Sequence, residues 1–211
     1  MSDTKLRDQI CLLGKSLFDR GLTVGSSGNI SARTDEGNWL MTPTNSCLGR
    51  LDPARLSLVN AQGQLLGGDK PTKESFLHLS MYSERPDAGA VVHLHSTHSV
   101  AVSVLADIDI QEPIPPITAY YVMKIGRLKL LPYFAPGDMS LANAVREVAA
   151  KHHAILLANH GPIVAGKSLE SAVYASEELE ETAKLFLLLR PNKMNILDAD
   201  QVAELQVKWP S

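Results

Sequence analysis

Cysteine is nearly absent from this sequence of 211 residues: Cys11 and Cys47 are the only two. So few thiols exclude a disulfide scaffold and a Cys-rich zinc module. Long apolar runs are missing too; none approaches the roughly 18 residues that span a bilayer. There is no basic block. Twenty Lys and Arg stand against 23 Asp and Glu, a net charge of −3, which argues against a nucleic-acid surface but leaves open a local cationic pocket for a small anion. Met1-Ser2-Asp3-Thr4-Lys5 leads into a charged amphipathic segment instead of a secretory leader, so the cytoplasm is the expected compartment. Repeats, low-complexity tracts and linkers are also lacking.

What is present suffices for a folded core. Hydrophobic residues make up 45% of the chain, which excludes wholesale disorder, and the length suits one domain over residues 1–211. Leu6, Ile10, Leu13 and Leu17 recur at helical spacing between Thr4 and Arg20, with Gly21 as the stop. Gly25-Ser26-Ser27-Gly28-Asn29 reads as a tight loop or a phosphate cradle. Extended stretches follow at Asn38 to Thr42 and Arg55 to Asn60, and Ala61 to Gln64 reads as a hairpin turn before Leu65 and Leu66. Thr72 can cap a helix from Lys73 toward Glu84. Ala88 to His95 reads as a strand, followed by a helix through Val104 and a Pro-rich connector, Glu112 to Pro116. Met139 to Lys151 reads as a helix, Ala154 to Ala158 as a buried strand, and Leu169 to Leu189 as a long acidic helix. Hairpins mixed with helices predict one α/β domain that need not have a parallel sheet.

Seven histidines are present, and three attract attention. His93 and His95 lie two apart on a predicted strand, so both imidazoles project from one face and can chelate one ion. Taken alone, the pair reads first as a chance doublet with one ring bonded in a loop. His160 follows the strand-like Ala154 to Ala158, with Gly161 allowing a sharp turn and Pro162 stiffening the exit. It can complete a three-nitrogen site, or be a turn histidine satisfied by backbone. His98, His152 and His153 read as bystanders. Glu74, in the first turn of its predicted helix, is either a helix-start carboxylate or an acid/base, and Lys73 is either solvated or set against an anionic substrate. Gly28-Asn29 and Thr42-Pro43-Thr44-Asn45 offer donors to a phosphate, but neither has P-loop spacing.

Taken in order, Gly28-Asn29-Ile30-Ser31, Thr42-Pro43-Thr44, Pro71-Thr72-Lys73-Glu74, His93-Leu94-His95-Ser96 and Asn159-His160-Gly161 resemble the class II aldolase/adducin-like family. The likeness covers nearly the whole chain. It implies an α/β/α sandwich with a largely antiparallel central sheet, assembled as a homotetramer with zinc held by three histidines at the subunit interface. By motif match those ligands are His93, His95 and His160, and Glu74 is the catalytic carboxylate. The phosphate site implied is Asn29, Thr44 and Thr72, with Ser27, Gly28 and Asn45. Tyr120, four residues after Pro116, matches an aldolase tyrosine that handles protons. The chain departs from the aldolases at Lys73, where they place a small hydroxyl residue. Gly68 to Glu74, Thr44 to Gly49 and His93 to His98 look most like members that decarboxylate a four-carbon 3-oxo sugar acid 4-phosphate. A sugar-phosphate aldolase is the alternative. A non-catalytic adducin-like module is a third reading, but it would not need the histidines and Glu74. The apolar Tyr120-Tyr121-Val122-Met123 is the expected patch between subunits.

Overall fold

The strands of this protein are apolar on both faces, which obliges helices to cover the sheet from both sides. A computed structural model gives the fold over residues 3–135 and 137–209. The reading of the first five residues therefore rests partly on Met1 and Ser2, which lie outside the described residues. Eight strands form one mixed sheet: β1 Asn29–Arg33, β2 Trp39–Met41, β3 Ser57–Val59, β4 Leu65–Gly67, β5 Ala90–His93, β6 Leu128–Leu131, β7 Ala154–Leu157 and β8 Gly161–Gly166. Their spatial order is β4-β3-β2-β1-β5-β8-β7-β6. Only β6 and β7 run parallel; every other neighbouring pair is antiparallel.

Among the described residues seven α-helices accompany the sheet: α1 Asp3–Asp19, α2 Ser75–Glu84, α3 Thr97–Ser103, α4 Ala119–Lys124, α5 Ser140–Ala149, α6 Leu169–Leu189 and α7 Ala199–Lys208. On one face Val91, Ile155 and Ile163 pack against Leu77 and Met81 of α2 and Val145 of α5. On the other, Val92 meets Ile10 of α1 and Val173 of α6, while Leu156 and Val164 meet Leu179 of α6. Residues adjacent in β5, β7 and β8 thus serve opposite layers, as the period of two requires. The result is the α/β/α sandwich that the resemblance implies.

Several local expectations need correction. Helix α2 starts at Ser75, two residues later than predicted, because the Thr72 carbonyl accepts from the Ser75 N–H at 3.1 Å and Thr72 Oγ1 from the Glu74 N–H at 3.3 Å. Glu74 is consequently the last residue before the helix. Strand β5 ends at His93, with one more cross-strand bond from the Leu94 N–H to the Pro162 carbonyl, so His95 lies beyond the strand. Pro162 lies inside β8 rather than in an exit. Tyr120 to Met123 belong to α4, and Tyr121 and Val122 are buried in this chain's own core; of the two tyrosines only Tyr120 faces outward. Strands β1, β6 and β8 and helices α4 and α7 are additions to the elements that the sequence predicts.

Candidate metal centre and active site

The site forms where β5 ends beside the start of β8. Gly28 and Gly161 let the backbone approach there: a Cβ on Gly28 would press on the His93 carbonyl oxygen, and one on Gly161 would collide with that of Leu94. With both present, His93, His95 and His160 turn their rings together. His93 Nε2 lies 3.0 Å from His95 Nε2 and 3.3 Å from His160 Nε2. His93 Nδ1 donates to the Pro162 carbonyl at 2.8 Å, so its Nε2 keeps the lone pair. From the start of α2, Glu74 joins them, with Oε1 3.1 Å from His160 Nε2 and Oε2 3.5 Å from His93 Nε2. One donor atom from each of the four lies within 4.8 Å of the others, a set that can hold a metal ion.

The electrostatics follow from this crowding. Burial pulls the His93 ring down to about 3, against the attraction of Glu74 and with the other two imidazoles alongside. Burial and the nearby His160 also lower His95, opposed by Glu74. Burial alone would raise the Glu74 carboxyl, but the facing His93 and the hydrogen bonds from His160 and Asn29 outweigh it and hold the group below the usual carboxylate range. His93 and His95 are therefore neutral, and Glu74 carries the charge.

Asn29 heads β1 directly opposite His93 in the sheet register. Its Nδ2 donates to Glu74 Oε2 at 2.7 Å, and its Oδ1 contacts His78 Nε2, so a residue expected to bind phosphate spends its side chain on the carboxylate. Thr44 and Thr72 come together because the loops that carry them are laced: the Thr44 N–H donates to the Lys70 carbonyl and the Thr72 N–H to that of Thr42. Thr44 and exposed Asn45 line a cavity of about 520 Å³ with Arg50 and Lys70, whereas Thr72 is buried beside Glu74. Ser27 Oγ donates to the Val24 carbonyl at 2.7 Å, closing its own turn. Lys73 is exposed next to Glu74. Tyr120 stands apart from the histidines, 63% exposed in a cleft with Arg20, Tyr174 and Glu177.

Two further residues support the site, and one of them corrects an expectation from the sequence, which reads Glu178, Glu180 and Glu181 as a solvated helix face, whereas the Glu180 side chain is largely buried. His78, one helical turn after Glu74, is fully buried beneath Asn29. Its signal was a lone histidine at i+4 from the candidate acid. Glu180 of α6 accepts from the His98 and Ser99 N–H groups at 2.8 and 2.9 Å and from Ser99 Oγ at 2.7 Å, anchoring the start of α3 just past His95. His98 is thereby a partner of Glu180 and no part of the histidine cluster. His152 and His153 bond to the carbonyls of Arg127 and Ala165.

Such a centre on an antiparallel α/β/α frame defines a class of protein, and sequence comparison agrees: residues 8–187 match the model of the Class II Aldolase and Adducin N-terminal domain. The chain belongs to that family. A 3-oxo-tetronate 4-phosphate decarboxylase from Pectobacterium atrosepticum is 48% identical over 204 residues, covering 97% of this chain and 94% of the relative. The crystal structure of YgbL from Escherichia coli, 48% identical, superposes with a TM-score of 0.95 over 97% of this chain and 99% of that one. An L-fuculose phosphate aldolase from Escherichia coli O6:H1 is more distant, 32% identical over 99% of this chain and 96% of the relative.

Proposed function

We propose that this chain removes carbon dioxide from 3-oxo-tetronate 4-phosphate, leaving dihydroxyacetone phosphate. One observation carries the reading: three imidazole nitrogens and one carboxylate converge at the end of β5, in a chain 48% identical, nearly end to end, to a decarboxylase of that name. The metal is zinc. Three nitrogens held tetrahedrally at the usual zinc distance lie about 3.3 Å apart, and those on His93 lie 3.0 and 3.3 Å from their neighbours. A soft thiolate is absent from the set, and neutral imidazoles with one carboxylate suit zinc chemistry. When bound, zinc supplies Lewis acidity toward the substrate's carbonyl and hydroxyl oxygens.

The chain's own residues do the rest. As C1 leaves as carbon dioxide, the pair from the C1–C2 bond passes into C2 and the C3 carbonyl, and C2 then needs a proton. Glu74 is ionised at rest, so it first takes the proton of the C2 hydroxyl and then returns it to carbon C2, solvent replacing the hydroxyl proton. Asn29 holds one oxygen of that carboxylate in place. At the far end Thr44, Asn45 and Thr72, with Ser27 and the Gly28 backbone, hold the phosphate, and Lys73 faces the departing carboxylate. Remote binding becomes orientation at C2.

The enzyme works as a cytoplasmic, single-domain protein over 1–211 and as a homotetramer. Tyr120, exposed and apart from this chain's own histidines, is free to face the site of a neighbouring copy in that assembly. The aldolase alternative rests on the fuculose phosphate relative; it needs a proton donor at the departing aldehyde oxygen, which carbon dioxide does not. The test is to incubate the zinc-loaded protein with 3-oxo-tetronate 4-phosphate and, separately, with fuculose 1-phosphate. Dihydroxyacetone phosphate with equimolar carbon dioxide from the first supports the decarboxylase. Aldehyde release from the second alone would make the chain an aldolase.

A further inference from the structure

A run of buried hydrogen bonds leads away from Glu74 into the layer between the sheet and α2. Asn29 Nδ2 lies 2.7 Å from Glu74 Oε2, and Asn29 Oδ1 contacts His78 Nε2. His78 Nδ1 lies 2.7 Å from Ser31 Oγ, which lies 2.9 Å from the Tyr82 hydroxyl. Asn29, Ser31, His78 and Tyr82 are all at most 4% exposed. Arg33 stacks over the rings of Tyr82 and Trp39 at 5.6 and 5.7 Å and closes the far end.

The polarity of this chain is dictated from one end. An ionised carboxylate only accepts, so Asn29 must present Nδ2 to Glu74 and therefore Oδ1 to His78. An amide oxygen also only accepts, so His78 Nε2 must carry a proton. Burial keeps the ring neutral, lowering it to about 4, so Nδ1 is bare and Ser31 Oγ donates to it. Ser31 can then accept from Tyr82. The opposite tautomer would set a bare Nε2 against Oδ1. It would favour turning the amide over and would leave Asn29 facing the carboxylate oxygen to oxygen. In a buried site neither mismatch is cheap.

We infer that His78 is a positioning residue for Glu74: its Nε2–H, acting through Asn29, fixes the direction in which the carboxylate points toward the reacting carbon. The inference rests on Glu74 being the acid/base. It gives Asn29 a task distinct from phosphate binding, and it explains an otherwise costly histidine in the apolar stretch Phe76-Leu77-His78-Leu79. Tyr82 and Ser31 select the tautomer from behind.

Two variants of similar polarity separate this from mere packing. In His78→Gln the side-chain amide nitrogen can occupy the place of Nε2, whereas in His78→Asn it reaches only that of Nδ1. The zinc-loaded His78→Asn protein should lose roughly 10- to 100-fold in kcat, the scale of one hydrogen bond to a charged group, with KM and zinc content unchanged. His78→Gln should restore most of that loss. Equal kcat in the two variants would overturn the inference. Should His78→Asn not fold, Asn29→Asp carries the same test: kcat falls while KM holds, and a raised KM at unchanged kcat would return Asn29 to the phosphate and overturn the inference. A readout without turnover is the ring 15N spectrum of His78, which should be that of the neutral Nε2–H tautomer; the Nδ1–H form would overturn it. Glu74→Gln, measured alongside, keeps the two claims apart. Parental turnover there removes Glu74 from the mechanism, whereas a loss there without a loss in His78→Asn defeats only the positioning role.

Discussion

His93 and His160, 67 residues apart in the chain, bring their Nε2 atoms within 3.3 Å of one another. The antiparallel pairing of β5 with β8 makes this possible by placing His93 opposite Ile163, two residues past the Gly161 turn. Leu94 then bonds to Pro162, and His160 is left at the mouth of the turn facing the end of β5.

Metal binding should collapse when any member of the triplet is lost. Replacing His93, His95 or His160 by Ala should lower zinc affinity by more than about a hundredfold, since even a partner that merely orients a ligand is worth about 10–100-fold. Elemental analysis after dialysis reads this directly. Stoichiometric zinc retained in His95→Ala would remove that residue from the site.

Glu180 should matter to stability rather than to zinc. Its carboxylate accepts four hydrogen bonds at the start of α3, from the His98 and Ser99 N–H groups, His98 Nδ1 and Ser99 Oγ, and bonds from this segment hold the carboxyl below its ordinary range despite the opposing effect of burial. Glu180→Ala leaves those N–H groups without a partner and should cost about 2–3 kcal/mol. Urea unfolding measures the loss; an unchanged midpoint with an unchanged slope would show that α3 does not depend on it.

Acid should destabilise the protein through His78. Its ring falls from 6.5 to about 4 in the fold because of burial, so the unfolded chain binds a proton that the native state refuses. Stability is then unaffected by this group above pH 6.5 and falls as pH drops from 6.5 toward 4. Between pH 7 and 5 the loss from His78 should be about 2 kcal/mol. In His78→Gln that share should vanish, so its urea midpoint should fall less over the same interval. Parallel pH profiles for the two proteins would refute this.

Assembly can be checked independently of chemistry. Light scattering at micromolar concentration should give about four times the 22.9 kDa of one chain. A fully active monomer would contradict both the tetramer and any role for Tyr120 at a neighbour's site.

Legibility in the sequence varied with how local the signal was. The triplet and Glu74 could be read because each stands at an element boundary inside a short motif, and boundaries carry punctuation such as Thr72 and Gly161. β8 was hidden because Gly161 and Pro162 look like a turn and its exit. The structure uses the missing Pro162 N–H harmlessly and the Pro162 carbonyl twice, for Leu94 and His93. Tyr121 and Val122 misled because α4 spans only six residues, too few for helical periodicity to separate a buried face from an exposed one. His78 is the clearest omission. A histidine between Leu77 and Leu79 reads as core, and its link to Glu74 passes through Asn29, 49 residues earlier, which only the β1–β5 pairing brings within reach.

In the proposed reaction Glu74 moves the proton at C2 while His93, His95 and His160 are left to the metal. Its most direct measurement is turnover of 3-oxo-tetronate 4-phosphate by Glu74→Gln beside the parent, with zinc quantified in both. Glu74→Gln should keep parental zinc content and nearly parental substrate affinity, with a rate lower by roughly 10²–10⁴-fold, as for a positioned acid/base. Dihydroxyacetone phosphate formed at the parental rate by the zinc-loaded variant would contradict that role for Glu74.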